Sequence, residues 1–187
     1  MAETPSLENA LGSTLSRSFD VFKQDFVLYL LAFLVYALVS GLSLGLLAGP
    51  LSIGLIDVVR RRSSGDTSVS VGDVFGGFSK FVPSFLALLV IGLASAVGSL
   101  LFLLPGLFVV FVCAFSLHVM AYEDTGMVES IKRSVRLTLD NALFVLLVLL
   151  IIGVLSAVGS LVVIGVLVTG PFSAVMLNVA YEQIAKP

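Results

Sequence analysis

Three long stretches of the chain carry no Asp, Glu, Lys or Arg: Phe26 to Ile56, Phe81 to Tyr122, and Asn141 to Tyr181, spanning 31, 42 and 41 residues. A helix rises about 1.5 Å per residue and a bilayer's hydrocarbon core is about 30 Å thick, so one crossing takes roughly 20 apolar residues. The second and third stretches each hold two crossings. The first holds two short ones if Asp57 to Arg62 end the second helix, with charged heads snorkelling to the interface. The expectation is an all-α polytopic membrane bundle of about six short transmembrane helices. With 58% of its 187 residues hydrophobic and 12% charged, the chain has too few charges to coat a water-facing surface.

The apolar stretches resemble one another. Ile91 to Leu100 reads IGLASAVGSL and Ile152 to Leu161 reads IGVLSAVGSL. Ala121-Tyr122-Glu123 matches Ala180-Tyr181-Glu182, Gly49-Pro50-Leu51-Ser52 matches Gly170-Pro171-Phe172-Ser173, and Ser16-Arg17-Ser18 resembles Lys132-Arg133-Ser134. Landmarks recurring at about 60 residues predict one membrane domain over 1–187, built from three repeated hairpins at approximately 5–62, 70–124 and 125–184.

Each unit is expected to open with a cytoplasmic amphipathic helix lying in the headgroup plane. Leu7, Leu11, Leu15, Phe19, Phe22 and Phe26 trace one helical face, behind Thr4 as N-cap and Pro5 at the first helical position. Ser70 and Asp73 have capping-box spacing ahead of Val71, Val74, Phe75 and Phe78, and Met127, Ile131 and Val135 form the third stripe. Gly76 and Gly77 weaken the second of these helices. Small residues at Gly41, Gly45, Gly49, Ala94 and Gly98 suit close helix approach. The Gly-Pro pairs at 49–50 and 170–171, and Pro105-Gly106, either form hairpin tips or kink the return helices.

Orientation follows from charge. All ten basic residues fall before the first hairpin, between hairpins or after the last, which places both termini in the cytoplasm under the positive-inside rule. The first 25 residues lack the basic-then-apolar pattern of a cleaved leader. The lone Cys113 forms no intramolecular disulfide and reads as a packing residue.

Asp57, His118 and Asn178 are the polar residues that stand out, at similar depth on the three return helices. They either converge on a pseudo-threefold axis as a transport path, or sit at the interface and are satisfied by headgroups, water or each other. Arg60, Arg61 and Arg62 form a basic turn suited to anionic lipid headgroups or to setting topology alone. One histidine and one cysteine do not make an ordinary zinc site, no phosphate-cradling or nucleophile-elbow motif occurs, and the basic residues are too few for nucleic-acid binding. No cofactor is expected. Glu123, Asp124 and Glu182 read as solvated helix ends.

The G-P-L-S-x-G segment at 49–54, the basic turn with Gly65-Asp66, the V-x-D-x-F-x-x-F run at 71–78 and Glu-Ser-Ile-Lys-Arg-Ser at 129–134 resemble an uncharacterised prokaryotic multipass family. That family is similar to the membrane domain fused to glycerophosphoryl diester phosphodiesterases. The resemblance implies a bundle in the cytoplasmic membrane of a prokaryote; the fused enzyme's acidic metal-binding barrel has no counterpart here. The expected function is therefore non-enzymatic. It is membrane organisation, anchoring or an accessory role, with membrane lipids and a possible protein at the cytoplasmic face as partners. The alternative is a small-solute transporter or channel along the repeat axis.

Overall fold

Uncharged apolar runs interrupted only by short turns satisfy their backbone groups as helices, and the computed structural model contains helices and turns throughout its described residues, 7–160 and 163–185. The elements are α1 (Leu7–Gln24), α2 (Phe26–Leu42), α3 (Ala48–Ser63), a 3₁₀ helix (Val71–Lys80), α4 (Phe81–Leu101), α5 (Leu103–Val112), α6 (Ser116–Glu123), α7 (Met127–Asp140), α8 (Ala142–Ser160) and α9 (Val163–Ala185). The expected cap at Thr4-Pro5 lies outside the described residues.

Among the described residues, three helical segments are long and apolar enough to cross a membrane: Val71–Leu100, Leu103–Glu123 and Ala142–Ser160. The pair α1 and α2, bent by 91°, makes a fourth if counted as one span. Three of the six expected crossings are absent from that set: α2 and α3, with 17 and 16 residues, reach only about 25 Å each along their axes, and α9 carries Pro171 in its interior and Asn178 and Glu182 towards its end.

The turns explain themselves locally. Between α2 and α3 the chain reverses through Leu44 and Gly45, both at positive φ (51° and 83°), where glycine is the residue without strain. None of the Gly-Pro pairs makes a tip: Pro50 sits in the first turn of α3 and Pro171 inside α9. The second of the predicted amphipathic helices is a 3₁₀ helix. Asp73 caps it by accepting from the Ser70 amide (2.6 Å) and hydroxyl (3.2 Å), as the capping-box spacing anticipates.

Of the small residues predicted to bring helices together, Gly98 and Gly49 do so and two do not. A Cβ on Gly98 would lie 2.9 Å from the Gly106 amide nitrogen, and one on Gly49 would lie 2.8 Å from the Ser84 carbonyl. Gly41 and Gly45 have nothing within 4 Å, and Gly45 serves the turn instead. The tightest contact is one that spacing does not reveal. A Cβ on Gly54 would strike the Val74 carbonyl, and one on Gly77 would strike that of Pro50, so the 3₁₀ helix lies directly on α3.

The three polar-faced segments dock in one pattern. α1 packs on α9, the 3₁₀ helix on α3, and α7 on α6. α1 buries Thr14 and Ser18 and α7 buries Ser130 and Ser134, small residues one helical turn apart, so the backbones approach closely. The apolar stripe of α1 is divided: Phe22 is buried, Leu15 and Phe19 are 42% and 50% exposed, and Thr14 and Ser18 point inward.

Candidate functional site

The second of the long apolar segments, Leu103–Glu123, is broken. Cys113 to Phe115 separate α5 from α6, and a broken helix leaves backbone groups without intrahelical partners. Ser134 of α7 takes them: its hydroxyl donates to the Val112 carbonyl (2.9 Å) and accepts from the Phe115 amide (3.1 Å). The break starts α6 afresh and aims His118 and Tyr122 into the bundle.

His118 is 4% exposed, flanked by the rings of Phe115 and Tyr181 at 5.7 and 5.6 Å, and neither of its nitrogens has a hydrogen-bond partner. Asn178 is 1% exposed; its carbonyl oxygen lies 3.1 Å from the Tyr122 hydroxyl, and its amide nitrogen has no partner. Asp57 is half-buried and pairs with Arg60, one turn on. Arg60 in turn donates to the Ala121 carbonyl (3.2 Å) and lies 5.0 Å from the centre of the Tyr122 ring. His118 thus meets Tyr181 and Asn178 meets Tyr122, two rings 4.9 Å apart, while Asp57 reaches them only through Arg60. Among the described residues the three sequence-predicted polar residues make no hydrogen bond to one another.

The residues that join this cluster to the surface are ones that sequence reasoning had assigned elsewhere. Tyr122 donates to Glu182 (2.8 Å), and Tyr181 donates to Glu123 (3.1 Å), so the two Ala-Tyr-Glu segments exchange partners across α6 and α9. Each acid also meets an arginine from a docked helix: Arg17 with Glu182 at 2.6 Å, and Arg133 with Glu123 at 3.4 Å. Glu182, expected at a solvated end, is 11% exposed in its side chain. The signal was present, because Arg17 and Arg133 occupy matching places in Ser-Arg-Ser and Lys-Arg-Ser. Only the fold shows that the two motifs meet.

Arg60, Arg61 and Arg62 each already face an acid. Besides the Asp57–Arg60 pair, Arg61 is 2.8 Å from Asp66 and 3.8 Å from Asp73, and Arg62 is 3.1 Å from Asp25. Asp25 does double duty, capping α2 through the Leu28 amide (3.3 Å) while holding the end of α3. In the loop beyond, Asp66 accepts from the Ser68 hydroxyl (2.6 Å) and amide (2.9 Å) and from Arg61, which hold its carboxyl down at about 2. Asp124, hydrogen-bonded to Lys80 at 2.6 Å, is likewise lowered by that contact. Both acids therefore stay charged at neutral pH, and the basic turn is neutralised from within. Lys23, Lys132 and Arg136 make no ion pair among the described residues.

Above this network lies a cavity of about 470 Å³ bounded by α2, α3, α6, α8 and α9. Its walls are apolar apart from Tyr36, three serines and His118; neither Asp57 nor Asn178 reaches it. Among the described residues no three His, Cys, Asp or Glu side chains are grouped to hold a metal ion.

Comparison with known proteins gives a family and no function. A model described as a domain of unknown function, DUF7847, matches residues 1–185, and the chain belongs to that family. No curated protein and no solved structure matches it, and nothing links it to the membrane domains fused to glycerophosphoryl diester phosphodiesterases.

Proposed function

Taking that membership as the starting point, we propose that the protein is a non-enzymatic membrane-organising or anchoring component of a prokaryotic cytoplasmic membrane, engaging the inner leaflet through α1 and α7. One observation carries this reading. α1 stands at 91° to α2, so if α2 crosses the bilayer α1 lies in its plane, leaving Leu15 and the outer side of Phe19, whose ring meets Phe172 at 5.7 Å, uncovered by protein. Lys23 on α1 and Lys132 and Arg136 on α7, free of internal acids among the described residues, supply the charge that anionic headgroups attract, about 1 kcal/mol each near the surface. The paired Arg60, Arg61 and Arg62 are a weaker lipid contact than their sequence suggests.

The reading includes six crossings as three repeated hairpins with both termini cytoplasmic. The shared docking pattern of α1, the 3₁₀ helix and α7 supports the repeat, as does the reciprocal Tyr–Glu exchange. The motifs at 49–54 and 71–78 support kinship with the membrane domains of phosphodiesterase fusions, without their enzyme. The rival reading, a small-solute path along the repeat axis, has the cavity in its favour. Its walls carry no charged side chain, though, and hold only one of the three polar residues that such a path would use.

Two expected outcomes test the proposal. Nitroxides at Leu15 and Phe19 of the reconstituted protein should relax with lipid-dissolved oxygen, and those at Ser16 and Asp20 with a water-borne nickel chelate. Water exposure at all four sites would remove α1 from the membrane surface. In a Cys113→Ala background, single cysteines at Ser64 and Thr125 should resist an impermeant thiol reagent added outside intact cells. Labelling of either from outside overturns the topology.

A further inference from the structure

α5 and α8 belong to different hairpins, and the fold leaves space between them. α4 packs along α5 and α8 along α9, whereas α5 and α8 face each other across a groove of about 820 Å³. Every residue lining it is apolar, among them Leu104, Phe108 and Phe111 of α5 and Leu146, Leu149 and Leu150 of α8. From Leu104 to Phe111 the groove follows α5 for about 10 Å, inside two of the uncharged stretches. Walls of this kind take hydrocarbon, since no lining side chain offers a polar group a partner.

The second half of α7 closes one end of the groove. Ser134 fastens α7 to the end of α5 through the Val112 carbonyl. Asn141, whose side-chain amide donates to the Leu137 carbonyl (3.0 Å), joins α7 to the start of α8. On its outer side α7 carries Lys132 and Arg136, four residues apart and so on one helical face. Both are exposed, and neither is ion-paired among the described residues, although Glu129 and Asp140 are on the same helix. Leu139, Leu143, Leu146 and Leu150 are exposed in turn, carrying hydrocarbon from α7 down α8 into the groove. The groove opens at Leu146, about 6 Å along α8 from Ala142, so a turn of helix separates its hydrocarbon walls from the α7 joint.

Two unpaired cations, a short gap and a hydrocarbon slot follow the order of groups in an anionic phospholipid. A free phosphate would use only the cations, and a zwitterionic lipid brings its own ammonium to offset its phosphate. We propose that the groove between α5 and α8 holds one chain of an anionic diacyl phospholipid whose headgroup pairs with Lys132 and Arg136, so that a lipid molecule joins the middle hairpin to the third. The inference rests on the reading that places α7 at the inner leaflet, and adds to it a seat for a single lipid.

The test uses the full chain in phosphatidylcholine nanodiscs carrying a trace of phosphatidylglycerol or phosphatidylcholine with a diazirine midway along one chain. Crosslinks on residues 104–111 and 146–150 are expected to be about tenfold stronger for phosphatidylglycerol, and to be lost to excess unlabelled phosphatidylglycerol. The lipid-facing residues 86–97 of α4 should label equally with both probes. Lys132→Gln with Arg136→Gln should bring the groove down to the phosphatidylcholine level and leave α4 unchanged. Equal labelling of the groove by the two probes in the unaltered protein would overturn the proposal. So would an absence of lipid adducts together with disulfide-linked dimers of a Leu150→Cys, Cys113→Ala variant, which would give the groove to a second copy. A nitroxide at Val128 keeps this apart from the leaflet reading. Water contact there fails both, whereas lipid contact there with equal labelling of the groove fails this proposal alone.

Discussion

Replacing Gly54 with alanine is expected to lift the 3₁₀ helix off α3 and to lower the thermal midpoint of the detergent-purified protein by about 10 °C, corresponding to about 3 kcal/mol. The added methyl has nowhere to go, because the space it needs is held by the Val74 backbone, which cannot rotate away as a side chain would. Gly77→Ala meets the Pro50 carbonyl from the opposite side of the same contact and should act alike. Combining the two should cost less than their sum, since either one separates the elements. Gly76→Ala, next door with nothing within 4 Å, is the control and should be within about 0.5 kcal/mol of the parent. Equal midpoints for Gly54→Ala and Gly76→Ala in differential scanning fluorimetry would mean that the 3₁₀ helix does not rest on α3.

The second large effect is expected at Ser134. Removing its hydroxyl strands the Phe115 amide and the Val112 carbonyl in an interior that offers no water, at roughly 1–3 kcal/mol for each group. Ser134→Ala should therefore destabilise the protein by about 3 kcal/mol. Ser13→Ala should scarcely register, because the Ser13 hydroxyl bonds only the Ala10 carbonyl on an exposed face. A local readout accompanies the global one. Cys113 lies in the break that Ser134 holds, and its reaction with a membrane-permeant maleimide should accelerate in Ser134→Ala but not in Ser13→Ala. An unchanged rate together with an unchanged midpoint would show that the break is held by something other than this hydroxyl.

How far the sequence reaches is clearest from single positions. The lengths of the uncharged stretches led to helices running up to and away from short neutral turns, since apolar backbone has few alternatives where water is scarce. The spacing of Ser70 and Asp73 led to a capped helix start, a contact made within four residues. Facing was not legible. An apolar stripe on α1 says that one side seeks hydrocarbon without saying which hydrocarbon, and the stripe divides: Phe22 is buried in the protein, while Leu15 and Phe19 stay about half exposed beside buried Thr14 and Ser18. Nor did the sequence foretell the break at 113–115, because its repair comes from Ser134, 19 residues beyond Phe115. His118 and Asn178 stood out as polar residues among apolar ones. Their different circumstances, one held between aromatic rings without a polar partner and the other beside the hydroxyl of a tyrosine, depend on neighbours brought from other helices.

The docking of α1 on α9 has a bearing on how such a molecule is made. Arg17 and Glu182 are 165 residues apart, and Thr14 meets Gln183 across 169. α1 thus finds its seat only after α9 has been made. Until then Thr14 and Ser18 have no cover, while the 3₁₀ helix and α7 dock on helices made just before them. Local joints can form as synthesis proceeds, whereas the contacts of α9 with α1, α2 and α3 wait on much longer loop closures. A chain cut short before α9 is therefore expected to leave Thr14 and Ser18 of α1 without their cover.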